Sequence, residues 1–353
     1  MSNLEQISEL GELYINRERI FNFSRRAVQE LEHMYFQVKD LNFTPSDLTD
    51  YIKDNCFREL PLTYDHEDDK FPSDVKNQIL GLYSGALLHR LNELIPNLDY
   101  SIDGEGKSFP HLFKYAHVIG NLHIKNFHGH GIAEHIAAMG GEAGSITIDN
   151  CHGTYMGSFI ARDKGKVQAI DIRNCTFDYS IGQNIGYCDG IVGKISIDNC
   201  QGDSIVHGIG CDRAKIDQVS ITNCIGNSIG KNMFTSSGKG KSVIIKDCIG
   251  HDIGVYMASD DGSVKEISIV NCKGDRIGQE IGAIRTLDRR EYGSYKEKWA
   301  QQRIFPDIDI LKIANCSGDD LGKEINYHTV KSLSITECSD KEGKPIEYVV
   351  GVY

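Results

Sequence analysis

The chain has 353 residues, 40% apolar and 25% charged, with a formal net charge of −12. That charge argues against nucleic acid or an anionic membrane surface as the main partner, and no run of eighteen apolar residues supplies a membrane-spanning helix. The opening stretch, MSNLEQISELGEL, lacks the basic and apolar regions of a secretory signal, and eleven cysteines then point to a reducing, cytoplasmic setting.

Residues 1–98 read as an α-helical cap or binding region. Ile20, Phe23, Ala27, Leu31, Met34 and Val38 recur at helical spacing. Thr44 caps a second helix, with Pro45 in its first turn and Leu48, Tyr51 and Ile52 on its face. Residues 64–70, YDHEDDK, lack the alternation and the glycine of a calcium loop and read as a solvated acidic loop. Ser73 caps a third helix bearing Val75, Ile79, Leu82, Ala86, Leu87, Leu91 and Leu94, stopped by Pro96. Its apolar arc is wide, so it should pack on a larger body and cover the open end of the repeat region beyond it. Residues 99–116 read as a linker leading into the repeat.

From residue 117 to 345 one phrase recurs, as in VSITNCIGNSIG at 219–230. Its marker is Cys151, Cys175, Cys200, Cys224, Cys248, Cys272, Cys316 and Cys338, with Phe127 in the same slot before them. The steps from Phe127 are 24, 24, 25, 24, 24, 24, 44 and 22 residues. A fixed period of this size marks a solenoid. Apolar residues stand five and three before each marker, as in Val219 and Ile221 or Ile267 and Ile269. That period of two predicts a strand with one buried face. Asparagine ends the strand at 126, 150, 174, 199, 223, 271 and 315, with Asp247 and Glu337 as exceptions. Glycine follows two after the marker in most coils, read as a left-handed turn residue. A second short strand carries Met156, Ile205, Ile229, Ile253, Ile277 and Leu321 five after the marker. In the coil of Cys175 the equivalent is Ile181, one place late, which predicts a one-residue bulge and accounts for the step of 25. Residues 285–306 form the one long insertion and hold Tyr292, Tyr295 and the only tryptophan, Trp299. Residues 346–353 read as a closing strand.

Stacked coils of this kind resemble the right-handed parallel β-helix architecture of the pectate lyases and their relatives. The resemblance rests on coil length, the asparagine positions and the inward aliphatic columns, and extends to fold alone. The fold class implied is mostly β: a right-handed parallel β-helix of about nine coils, preceded by a small α-helical region. The asparagines should bond amide to amide between coils, an asparagine ladder. The cysteines should form a buried, reduced column, because stacked coils hold them about 4.8 Å apart. A disulfide wants β-carbons about 3.8 Å apart, and a linear stack does not converge on a tetrahedral metal. Cys188 and Cys211, in the variable loops, are the expected exceptions.

Two motifs invite comparison with the polygalacturonases, Gly129-His130-Gly131 and Asp260-Asp261. Their order is reversed and five coils separate them, so they are not read as a site. The best polar stripe comes from aligning the loops by marker. Asp163, Asp189, Asp212, Ser236 and Asp260 then share a column, with Arg162, Arg213, Asp261 and Arg285 beside it. Such a row raises carboxylate pKa by mutual repulsion unless a cation or arginine relieves it. With Tyr295 and Trp299 of the insertion as a roof, these residues are the candidate ligand site. A second row, Asp203, Asn227, His251, Asp275 and Asp319, reads as turn chemistry. The expected function is a non-catalytic β-solenoid scaffold for a protein partner or a second copy of itself. The alternative is a carbohydrate-binding or carbohydrate-cleaving β-helix protein. Neither metal nor cofactor is expected.

Overall fold

The structure is a computed structural model that describes residues 72–283, 306–346 and 351–352, with Thr44 and Ser46. The first two expected helices, the acidic loop, most of the insertion and the one cysteine that precedes the repeat, Cys56, lie outside the described residues. What is described is a parallel β-solenoid of about nine turns.

Each full coil has three sides. The first is a long strand, such as Ile191–Asp198, Lys215–Thr222, Lys239–Lys246 and Ser263–Val270. These stack in parallel with aliphatics in register: Val219 faces Val243 and Ile195, and Ile221 faces Ile245 and Ile197. The second side is a short strand, such as Gln201–Ile205, Ile225–Ile229 and Ile249–Ile253, in a separate seven-stranded parallel sheet. The third side carries no strand. Its residues alternate in hand, with left-handed backbone at Phe159, Ala161 and Asp163, then Asn232, Phe234 and Ser236, then Tyr256, Ala258 and Asp260. Successive left-handed residues donate to opposite neighbours: Phe159 to Gln183 O in the next coil at 2.8 Å and Ala161 to Ile136 O in the coil before at 2.9 Å. Backbone bonding between coils is thereby kept without a pleat.

The corner between long and short strands shows which residue faces inward. All eight marker cysteines are buried, as is Phe127. Each marker thiol donates to the carbonyl two residues before it, at 3.0–3.3 Å. The preceding Asn, Asp or Glu is left-handed at every coil, with φ of 50–58°. Asparagine tolerates that region because its short polar side chain bonds locally. Asn150 donates to Asn126 Oδ1 and Asn199 to Asn174 Oδ1, each at 2.8 Å. Asn174 and Asn223 donate instead to Asp149 and Asp198, the strand's last residue in the coil before.

The glycine after the marker has a different role from the one expected. Gly202, Gly226, Gly250, Gly274 and Gly318 are not left-handed. A Cβ on Gly226, Gly250 or Gly274 would lie 2.2 Å from the carbonyl oxygen of the glycine one coil earlier. Close approach of stacked backbones excludes a side chain there. The expected bulge is present: pairing shifts between Gly202 and Ser204, opposite Phe177 and Ser180.

One boundary moves. Residues 99–116 are not a linker: Asp99–Asp103 pairs in parallel with Asn121–Lys125, so the solenoid begins there. Helix Pro72–Leu94 packs on this first coil through its glycines. A Cβ on Gly81 would meet His111 O at 2.3 Å, and one on Gly85 would meet Lys114 O at 2.3 Å. Ser84 Oγ accepts the Phe113 N–H at 3.0 Å between them. At the other end, Gly351–Val352 pairs antiparallel with Val330–Thr336.

Candidate functional site

The stripe foreseen in the loops lies on the strandless third side, split into two columns. Asp163, Cys188, Asp212, Ser236 and Asp260 occupy one; Lys164, Asp189, Arg213, Ser237 and Asp261 occupy the next. Asp163 N donates to Tyr187 O and Asp189 N to Asp212 O, both at 2.9 Å, which fixes this register. The bulge in the coil of Cys175 displaces Asp189 by one slot, so it does not align with Asp163 and Asp212. Arg213 instead clasps Asp189 with two bonds of 2.9 Å. That clasp lowers the Asp189 carboxyl below its ordinary pKa, opposite to the rise expected of a bare carboxylate row. Arg162 pairs with Asp163 at 3.0 Å and lies over the Phe159 and Tyr187 rings. Asp261 accepts from Ser237 Oγ. Cys188 and Tyr187 belong to this cluster and carried no repeat signal. Arg285, Tyr295 and Trp299 lie outside the described residues. The Gly-His-Gly and Asp-Asp motifs fall on different sides of the coil: Gly129 is in short strand His128–Gly129, and Asp260 is on the third side.

A trough of about 740 Å³ lies on another side, along the short strands. Glycines 202, 226, 250 and 274 form its floor, because no side chain fits there. One ridge holds Thr176, Gln201, Ile225, Ile249, Lys273 and Ser317, one residue after each marker. The other holds Asp178, Asp203, Asn227, His251 and Asp275, three after it. The row from Asp203 to Asp275 was read as turn chemistry. In the structure Asp203, Asn227 and His251 sit within the short strands and point outward by strand alternation. The positions one and three after the marker are exposed and flank the glycine, and the alternation breaks before the buried aliphatic at five.

The ridge is internally bonded. Asn227 donates to Asp203, and His251 pairs with Asp275. Lys341, from the last turn of the chain, reaches Asp275 at 2.5 Å and Asp319 at 2.9 Å. Lys341, then His251, lower the Asp275 carboxyl below its ordinary pKa. The two isoleucines on the facing ridge are half exposed, Ile225 at 50% and Ile249 at 52%. At the far end the bulge turns both Asp178 and Tyr179 outward. Tyr179 is 58% exposed and lies parallel to Tyr155, with ring centroids 5.7 Å apart. His130 packs edge-on against Tyr155 at 5.2 Å, and His128 stacks on His152 at 5.1 Å.

Two other charged clusters serve the fold. Asp252 is buried between Lys231 at 2.9 Å and Arg276 at 2.7 Å. Glu134 is buried beneath the N-terminal helix, 3.3 Å from both Lys114 and His111. Among the described residues, no group of three or more His, Cys, Asp or Glu is arranged to hold a metal ion, and no helix is long and apolar enough to cross a membrane. Fold and geometry thus define a β-solenoid with a glycine-floored trough on its short-strand side. No family model, curated protein or solved structure matches the chain.

Proposed function

We propose that this protein is a non-catalytic binding solenoid and that its ligand lies in the short-strand trough. The observation that carries this reading is the trough itself: a continuous glycine floor between two ordered ridges of side chains. Its volume falls in the range of ligand sites, and both ridges carry polar groups, with Ile225 and Ile249 as the apolar stretch of one of them. Asn227 holds Asp203, and His251, Asp275 and Lys341 are engaged with one another along the axis, which suits a preorganised recognition surface. The asparagine and cysteine columns act as ladders that hold successive coils in register, so that outward residues keep their spacing. The ten described cysteines are all free, which supports a reducing compartment as the place of work.

The test compares two pairs of substitutions in the full chain. Asn227→Ala with His251→Ala alters the trough; Asp212→Ala with Asp260→Ala alters the third side. Both proteins and the parent are screened against the same mixed array of oligosaccharides and peptides. Binding should be lost in the trough pair and kept in the third-side pair. The reverse pattern would return the site to the aspartate columns first suggested by sequence.

A further inference from the structure

The trough also constrains what can occupy it. We infer that its ligand is a neutral oligosaccharide laid along the solenoid axis. This rests on the trough being the binding surface.

The first argument concerns the main chain. The floor strands are bonded in parallel to the coil on either side: Ile225 is in register with Gln201 and Ile249, and Gly226 with Gly250. Their N–H and C=O groups are therefore directed along the axis and already paired. Extended peptides are commonly held by adding a strand to an open edge, and the trough offers none. An occupant meets side chains only.

The second argument concerns what those side chains present. Ile225 and Ile249 give one ridge an exposed apolar stretch, while Asn227 and His251 face it with polar groups of both kinds. A pyranose ring has a C–H face and a rim of hydroxyls that both donate and accept. It satisfies the two ridges at once.

The third argument is charge. The walls hold Asp178, Asp203 and Asp275 against Lys273 and Lys341, on a protein of net charge −12. Acidic polymers meet a repulsive field. The lysines, one already bridging two carboxylates, give a polycation no uniform acidic track. The trough runs across six coils, from Thr176 to Ser317. At about 4.8 Å per coil it is roughly 24 Å long, the reach of an oligomer rather than a single ring.

The experiment measures binding of the full chain to four arrayed sets. These are neutral cello-, manno- and galacto-oligosaccharides from disaccharide upward, oligogalacturonates, chitosan oligomers, and extended peptides. The parent should bind a neutral series with affinity that rises with length until the trough is filled. The pair Asn227→Ala and His251→Ala should weaken that binding at least about tenfold, with the melting temperature unchanged. Binding confined to peptides or charged glycans, and lost in that pair, would overturn the neutral-saccharide inference and leave the trough as the site. Neutral binding that the pair leaves intact would overturn the trough reading itself. No binding to any neutral series would sink the inference on ligand class alone.

Discussion

Glu134 sits 8% exposed between two basic neighbours at the junction of helix and first coil. Burial pushes its carboxyl up, but the His111 hydrogen bond and the Lys114 charge outweigh it and hold the pKa at about 2. Its contribution to stability is complete above the unfolded value of about 4.5 and is lost as pH falls toward 2. Beside it, His135 is held between the Tyr115 and Phe159 rings at 4.3 and 4.8 Å. Burial lowers its imidazole from 6.5 to about 3. Between those values the unfolded chain binds the proton and the folded chain does not, so stability falls as pH drops from 6.5 to 3. Both effects run the same way. His135→Phe keeps the ring stack and should flatten the upper part of this decline, by about 1–2 kcal/mol given the ring's partial exposure. Urea midpoints measured between pH 7 and pH 3 would check it; an unchanged slope would mean that His135 is not the titrating group. Lys114→Met removes one partner of a buried charge and should cost about 3–5 kcal/mol at neutral pH.

At the scale of the element, the repeating corner decides what each coil tolerates. Gly226→Ala places a methyl carbon 2.2 Å from Gly202 O, and backbone on both sides cannot retreat without breaking register. We expect a loss of about 3 kcal/mol or more, or failure to fold, measured by thermal unfolding. A mild effect would show that the coils separate more easily than their packing implies. The marker thiols predict a second outcome. Burial pushes the Cys151 thiol up to about 11, and every marker sulfur is bonded to a carbonyl. Of the two loop cysteines expected to react, Cys211 is buried and accepts a bond from Thr235 Oγ1 at 3.0 Å. Only Cys188 is half-buried, and burial, then Asp212, raise its pKa to about 11. Titration of native protein should find Cys188 slow and the eight marker thiols silent until denaturant is added. Rapid reaction of several marker thiols would contradict the packed corner.

These two cases also show what was legible in the sequence. The period, the inward aliphatics and the marker column come from spacing, because a buried side chain must recur once per coil. The reason for the glycine does not, since left-handed turns and close backbone approach select the same residue. Assigning it to a turn closed the strand too early and hid the outward row at Asn227 and His251. The third side was illegible for a different reason. Its left-handed positions are filled by Phe159, Ala161, Tyr256 and Ala258, residues that announce no turn.

For the whole molecule, contacts join each coil chiefly to its two neighbours, so stability is close to a sum of coils and interfaces. The outward columns are then ruled by counting. The single extra residue in the coil of Cys175 acts on them as a phase shift. Inward residues are restored to step at Ile181, which faces Met156 on one side and Ile205 on the other. Numbering from the marker, however, stays one ahead until the next cysteine, which moves Asp189 from the column of Asp163 into that of Lys164 and beneath Arg213. Deleting Tyr179 should remove the slip, leaving the coil at the common length of 24 and the core unchanged. Every residue from 180 to 199 would keep its place in space, but the coil would lose one of two neighbouring outward side chains, the exposed ring stacked on Tyr155. In such a chain, evolution can edit the surface text by one letter within a coil while the core reads on in frame.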